Sequence, residues 1–153
     1  MEIKTVAEWG FEPNRQHEFD AGADLCASQT VGVYINETEM VPTGVRVEIP
    51  EGYVGLLFAR SSLCKSGLVM ANGVGVIDSG YTGEIMVPLV NTNTNHRMIW
   101  VRKDQRIAQL VVVKVELPRF VMVDKLGETE RGEGGFGSTG KWGELYDEME
   151  AEG

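Results

Sequence analysis

The chain has 153 residues, 42% of them hydrophobic, and a formal net charge of −9. This length is enough for one buried core and too short for two ordinary domains. The acidic balance argues against a general nucleic-acid-binding protein, which would need a basic patch to neutralise phosphates.

The sequence gives no sign of a membrane or zinc protein. Its N-terminal stretch carries charges throughout, and no apolar run approaches the roughly 20 residues that span a bilayer. The two cysteines, Cys26 and Cys64, form no CxxC pair, and His17 and His96 lie far apart, so no usual zinc-site spacing is present. We therefore expect a cytoplasmic protein with two buried free thiols and no membrane partner.

Short runs rich in β-branched residues recur between turn residues along the chain. Val45–Ile49 alternates apolar with charged residues and predicts a strand with one buried face, and Pro50–Gly52 predicts the turn that follows. Leu110–Val113 lacks alternation and predicts a strand covered on both faces. The predicted strands are Val31–Ile35, Val45–Ile49, Tyr53–Phe58, Glu84–Val90, Arg97–Val101, Arg106–Val115 and Arg119–Val123. This pattern predicts an all-β antiparallel sandwich or jelly roll but leaves the strand order open.

The composition changes after Lys125 to glycine and charged residues. The stretch from Gly127 to Gly153 carries eight acids and two bases, which is −6 of the total −9. With no apolar period to hold it on a core, it should be mobile. The sequence thus predicts a β domain over residues 1–126 and a mobile C-terminal arm over residues 127–153.

Two short segments in the first half carry polar side chains suited to phosphate chemistry. Ala21–Leu25 contains Asp24, and a lone aspartate after glycine is more often a turn residue than a ligand. Ala59–Leu63 ends a predicted strand with Arg60, Ser61 and Ser62. A guanidinium fork and hydroxyls suit phosphate oxygens, although an ordinary surface loop explains the same letters about equally well.

Two further segments present polar groups between apolar strands. Gly75–Glu84 places Asp78 and Tyr81 in a glycine-punctuated turn, which is typical of catalytic loops but also of a plain β-hairpin. In Arg106–Leu110, Gln109 is an amide inside an otherwise apolar run. A buried amide needs a partner, so Gln109 is either structural or a ligand-binding residue.

The fifth segment, Arg131–Gly140, is rich in glycine. Its glycines free backbone N–H groups to surround an anion, Ser138 and Thr139 add hydroxyls, and Arg131 adds a positive charge. Phe136 has no packing reason in such a stretch, whereas stacking on a planar base would give it one. A featureless linker is the competing interpretation.

Together the five segments resemble the five ordered motifs of the trimeric dUTPase family, and Thr43–Leu57 between the first two resembles it as well. The resemblance covers roughly residues 18–140. It departs from the family at Ala23, where tyrosine is more usual, and at Ser62, where glycine is frequent.

The resemblance implies a β-clip type jelly roll that assembles as a homotrimer with active sites shared between subunits, each completed by a C-terminal arm. It implies hydrolysis of dUTP to dUMP and pyrophosphate, with Asp78 activating the water that attacks the α-phosphorus. Mg²⁺ would be held mainly by the triphosphate, with Asp24 acting through a bound water. The implied substrate-binding residues are Arg60, Ser61, Ser62, Asn72, Gly75, Tyr81, Met86, Gln109, Arg131, Phe136, Gly137, Ser138 and Thr139.

Within that set the resemblance implies separate roles for base, sugar and phosphates. Asn72 would read the uracil edge with the backbone of Gly75 and Met86, and Phe136 would stack on the base. Tyr81 would exclude a 2′-hydroxyl.

Two other functions compete with this one. A dCTP deaminase shares the fold and an arginine-serine-serine segment, but its catalytic glutamate would fall on Pro88, which has no acid–base side chain. A protein that keeps the fold as a regulatory binding partner is the other alternative, although each matched catalytic position holds a competent side chain.

Overall fold

The computed structural model describes residues 1–134. It contains eleven strands and one short helix within that range. In chain order these are β1 (Lys4–Val6), β2 (Ala23–Cys26), β3 (Val31–Tyr34), β4 (Thr38–Pro42), β5 (Arg46–Glu48), β6 (Tyr53–Ala59), α1 (Ser61–Ser66), β7 (Leu68–Met70), β8 (Val74–Ile77), β9 (Met86–Asn91), β10 (Met98–Val101) and β11 (Arg106–Lys114). Across these residues no helix is long and apolar enough to cross a membrane.

The strands form four antiparallel sheets. The largest has the order β2-β11-β6-β8, and the others are β4-β9-β7, β1-β5 and β10-β3. Strands distant in sequence are therefore neighbours, as β2 and β11 are. This pairing of strands that are distant in sequence brings motifs together at a few strand ends.

One core holds the sheets together. Its buried side chains come from each of the four sheets, and they include Leu57, Leu89, Val33 and Val47. Burying each such side chain contributes about 1.5–3 kcal/mol. The domain is thus the all-β, single-core protein that the sequence predicts.

Most predicted strands are confirmed, and their local patterns explain why. In β5, Val47 is buried between the exposed Arg46 and Glu48. The predicted turn also forms, with Gly52 at φ 78° and the Tyr53 amide donating to the Pro50 carbonyl at 3.2 Å.

One predicted strand is wrong. Residues 119–123 form no strand in the structure, and Phe120 is 93% exposed. The apolar run has strand composition, but a strand also needs an edge to pair with, and composition does not supply one.

The thiols are less buried than the sequence suggests. Both cysteines are free, but Cys64 on α1 is exposed and Cys26 on β2 is only half-buried. Burial and, to a smaller extent, the Asp24 carboxylate raise the pKa of the Cys26 thiol.

The chain falls into two units, Met1–Leu117 and Pro118–Gly153, of which the second is described up to Gly134. In the described part of the second unit, Lys125 and Glu128 form an exposed ion pair at 3.0 Å. Nothing in this division tests the boundary at residue 127, which stays a prediction.

Candidate active site

Asp24 is the centre of a charged cluster at one edge of the largest sheet. Its carboxylate is 4% exposed, and Oδ2 contacts the guanidinium groups of Arg60 and Arg106, the latter at 3.1 Å. The other oxygen, Oδ1, accepts a hydrogen bond from Gln109 Nε2 at 3.0 Å. The interpretation of Asp24 as a turn residue is therefore wrong, because it is a buried strand residue with three side-chain partners.

Sheet pairing explains how this cluster forms. Gln109 lies opposite Asp24 on β2, and its neighbour Ala108 lies opposite Ala59 on β6, so β11 joins the first two motifs. A side chain at Gly22 would begin 3.0 Å from Gln109 Cβ, so a glycine leaves room for the amide. The Gln109 side chain therefore has a structural partner, Asp24, in the absence of a ligand. It shares that partner with Arg60, so a ligand bound to Arg60 could also contact the Gln109 amide.

Sequence reasoning missed Arg106 as a member of the site. It is 82 residues from Asp24 in sequence and reaches the carboxylate only through the β2–β11 pairing. Two guanidinium groups around one carboxylate leave a net charge of +1, which favours binding of an anion.

Ser61 and Ser62 start α1 directly after Arg60, which is the N-cap residue. Both serines are exposed, and the helix is anchored by the buried Leu63. Their hydroxyls therefore lie on the surface next to the charged cluster and are free to donate to a ligand.

The third motif forms a separate pocket beyond the end of β8. A pocket of about 260 Å³ is lined by residues that include Met40, Val76, Asp78, Tyr81, Glu84 and Met86. Asp78 is exposed, and its carbonyl accepts a hydrogen bond from the Tyr81 amide at 3.0 Å, which closes the turn. The pocket thus presents a solvent-accessible carboxylate beside an aromatic ring.

Asn72 and Gly75 lie together at the start of β8. A Cβ on Gly75 would be 3.6 Å from Asn72 Nδ2 and 3.0 Å from Leu57 Cβ. Any side chain at Gly75 would therefore crowd β6 and the space beside the Asn72 amide. Met86, half-buried at the start of β9, lines the pocket that contains Asp78 and Tyr81.

The structure does not bring the two groups of predicted site residues together within one chain. Ile77, just before Asp78, pairs with Gly55, whereas Arg60 lies past the opposite end of β6. The Arg60 guanidinium also points to Asp24, on the far side of β11. At about 3.3 Å per residue along β6 and 4.8 Å from β6 to β8, roughly 20 Å separates the backbones of Asp78 and Arg60.

Arg131 lies in a turn of the second unit. Its Nε donates to the Gly134 carbonyl at 3.0 Å, and Gly132 has a positive φ of 53° that suits glycine. Phe136, Gly137, Ser138 and Thr139, also predicted as site residues, lie outside the described residues.

The described residues contain no cluster of three or more His, Cys, Asp or Glu side chains that could hold a metal ion by themselves. Asp24 is the only carboxylate of the charged cluster, and three donors already engage about three of its four lone-pair sites. It therefore suits a contact to a metal-bound water better than direct ligation.

Comparison with known proteins identifies the chain. The dUTPase family model matches residues 11–140. A deoxyuridine 5'-triphosphate nucleotidohydrolase of Mycobacterium sp. (strain JLS) is 48% identical over 134 residues, which cover 84% of this chain and 86% of that protein. The protein of the same name from Cutibacterium acnes is 47% identical over 139 residues, covering 90% of this chain and 91% of the relative.

Solved structures agree with the sequence matches. The Staphylococcus bacteriophage 80alpha dUTPase with dUPNHPP has a TM-score of 0.82 and 31% identity, covering 91% of this chain and 98% of that one. A dUTPase from phage phi11 of S. aureus, described with a structural Mg(II) ion, has a TM-score of 0.74 and 27% identity, over 82% of this chain and 98% of its own. On these matches and on the five motifs, the chain belongs to the dUTPase family and hydrolyses dUTP.

Proposed function

We propose that the chain converts dUTP to dUMP and pyrophosphate by attack of an Asp78-activated water on the α-phosphorus. The exposed Asp78 carboxylate can accept the proton of the water. The water oxygen bonds to the α-phosphorus as the bond from that phosphorus to the bridging oxygen breaks, and pyrophosphate leaves with that oxygen. The observation that carries this assignment is the position of Asp78 in a pocket beside Tyr81 and Met86.

The charged cluster around Asp24 binds the phosphates in this proposal. Arg60 and Arg106 supply guanidinium donors, Ser61 and Ser62 supply exposed hydroxyls, and Gln109 adds an amide. The net positive charge and the hydroxyls match the anionic oxygens of a triphosphate. Arg106 is an addition to the phosphate-binding residues that the sequence indicated.

The start of β8 binds the base. An amide both donates and accepts, as the O4 and N3–H of uracil require, and Asn72 supplies one beside Gly75, where a side chain would crowd it. Met86 contributes its backbone from the other side of the pocket. Tyr81 then lies against the deoxyribose and leaves no room for a 2′-hydroxyl.

The separation of roughly 20 Å between the backbones of Asp78 and Arg60 supports a site shared between subunits. One α-phosphate cannot contact both groups of the same chain at that distance. If Asp78 comes from one subunit and Arg60 from another, as in the trimeric family, both reach the same nucleotide. We therefore propose a homotrimer.

An apolar sheet face supports this association. We define it as the outward side chains Leu56, Phe58, Val74, Val76, Val111 and Val113 on three neighbouring strands. Val76 is 62% exposed and Val74 is 42% exposed in the single chain. The sequence predicts Leu110–Val113 to be covered on both faces, yet residues 1–134 cover only one. A second copy of the chain would cover the other.

The residues of the charged cluster fit a substrate-borne Mg²⁺ that touches Asp24 through water, since few protein ligands are needed when phosphate oxygens hold the ion. The phi11 relative, described with a structural Mg(II) ion, adds support. When bound, the ion would neutralise triphosphate charge and fix the orientation of its oxygens.

The C-terminal arm completes the site in this proposal. Arg131, Gly137, Ser138 and Thr139 close over the terminal phosphates, and Phe136 stacks on the base. Closure would position the substrate and exclude bulk water.

Incubation with dUTP or dCTP in ¹⁸O-labelled water tests the proposed reaction. We expect dUMP and pyrophosphate from dUTP, with ¹⁸O in dUMP only, because the water attacks the α-phosphorus. Label in pyrophosphate would move the attack to the β-phosphorus, and dUTP formed from dCTP would establish the deaminase. Pro88 on β9 gives no acid–base group for that second reaction.

A further inference from the structure

The ring of Tyr81 folds back over its own turn and is held there by two features. A Cβ on Gly83 would lie 2.5 Å from Tyr81 Oη and 2.6 Å from Cζ, so the ring occupies the space that a side chain at Gly83 would need. The hydroxyl of Tyr81 donates to the Glu84 carbonyl at 2.8 Å. The position of the ring therefore depends on the backbone of residues 83 and 84.

Glu84 is in turn anchored to another part of the chain. Its Oε1 accepts a hydrogen bond from the Gly44 amide at 2.7 Å. Beside it, the Ile85 carbonyl accepts from the buried Thr43 hydroxyl at 2.7 Å, and the Ile85 amide donates to the Val45 carbonyl at 2.8 Å. The stretch after Tyr81 is thus fixed to the turn that joins β4 to β5.

This anchor matters because Tyr81 has little packing of its own. The residue is 44% exposed, so contacts with the core do not determine where its ring lies. A ring that excludes one hydroxyl group must be placed to well under an ångström, since a small displacement would open the space for a 2′-oxygen.

We propose that Glu84 is a positioning residue that, through its bond to the Gly44 amide, holds the Tyr81 ring where it discriminates dUTP from UTP. We call Gly44, Tyr81, Gly83 and Glu84 the Tyr81 latch. The inference rests on the proposed role of Tyr81 and adds the group that sets the position of its ring. Glu84 lines the same pocket as Tyr81, and its proposed role is to act through the position of that ring.

The measurement is the ratio of kcat/KM for dUTP to kcat/KM for UTP, which does not depend on the fraction of active enzyme. Glu84→Ala removes the acceptor for Gly44, and Tyr81→Phe removes the hydroxyl while keeping the ring. We expect each to lower the ratio about 3- to 10-fold, the scale of one lost hydrogen bond.

Glu84→Gln is the matched variant, because its amide oxygen can still accept from Gly44, and its ratio should stay within about twofold of the unmodified chain. Glu51→Ala makes the same change in the exposed β5–β6 turn, where the glutamate forms no ion pair among residues 1–134. It should leave the ratio unchanged.

Tyr81→Ala separates failure of the latch from failure of the proposed role of Tyr81. If Tyr81→Ala lowers the ratio while Glu84→Ala and Tyr81→Phe leave it unchanged, the latch is wrong and the role of Tyr81 stands. If Tyr81→Ala itself leaves the ratio unchanged, sugar discrimination lies elsewhere and both are wrong. Should Glu84→Ala not fold, Tyr81→Phe decides alone, because its ring and turn remain intact.

Discussion

Asp78 is the residue on which the proposed chemistry depends most. Replacing it with asparagine keeps the size of the side chain and removes the proton acceptor. We expect Asp78→Asn to lower kcat by roughly 10²-fold or more, the usual scale for losing a general base, with nucleotide binding largely kept. Single-turnover kinetics and calorimetric titration with a non-hydrolysable dUTP analogue measure the two effects.

Asp104→Asn is the matched control for that variant. Asp104 lies in an exposed turn with a positive φ of 66°, a conformation that asparagine also adopts. It should keep normal turnover. Near-normal turnover in Asp78→Asn would instead remove Asp78 from its role.

The two cysteines differ in the reactivity of their thiols. Burial and the nearby Asp24 carboxylate raise the pKa of Cys26, so its reactive thiolate is scarcer at neutral pH. We expect iodoacetamide to alkylate the exposed Cys64 well before Cys26 at pH 7.5, and the gap to narrow as the pH rises above the usual thiol pKa.

Peptide mass spectrometry after timed labelling measures both rates, and the unfolded chain in guanidinium chloride is the control in which they should converge. Equal rates in the folded protein at pH 7.5 would contradict the environment described for Cys26.

Single residues also show where sequence reasoning stops. Asp24, Arg60 and Gln109 could be chosen from their motifs, but the burial of Asp24 and the part played by Arg106 could not. Both follow from the pairing of β2 with β11 across more than 80 residues. No local pattern encodes such a contact.

At the scale of elements, local chemistry predicts some strands and misses others. Alternation identifies β5, and a long β-branched run identifies β11. The strand β8 is four residues long and contains a glycine, so its sequence alone indicates a turn. Its pairing with β6 is what makes it a strand. Residues 119–123 are the reverse case, because they have the composition of a strand but form none in the structure.

The apolar sheet face gives a prediction for β8. Val76→Asp places a charge at the most exposed residue of this face, and burying a carboxylate against another apolar surface is costly. We expect the variant to remain folded but to lose self-association, and with it most of its kcat/KM, since the sites are shared. Light scattering during gel filtration measures the mass, and circular dichroism checks the fold.

Val69→Asp makes the same change on β7, where the valine is 37% exposed and lies in a different sheet. It should keep the mass of the unmodified protein. An unchanged mass for Val76→Asp would exclude this face as the subunit contact.

At the scale of the whole molecule, the C-terminal arm gives a further prediction. Among residues 1–134 the last buried core residue is Leu110 on β11, so a chain ending at Glu130 should fold and associate like the full chain. It lacks Arg131 and the glycine-rich motif, and we expect it to lose most of its kcat/KM for dUTP. Thermal unfolding and gel filtration test its integrity, and dUTP hydrolysis at equal activity would make the arm a spectator.

In the proposed trimer, one active site combines Asp78 of one subunit with Arg60 of another. Arg60→Gln and Asp78→Asn each remove one half of every site, so either variant alone should be nearly inactive. Mixed at random in equal amounts by joint refolding, about a quarter of the shared sites regain both groups. We expect the mixture to hydrolyse dUTP at about a quarter of the normal rate. Activity no higher than that of the separate variants would contradict an active site shared between subunits.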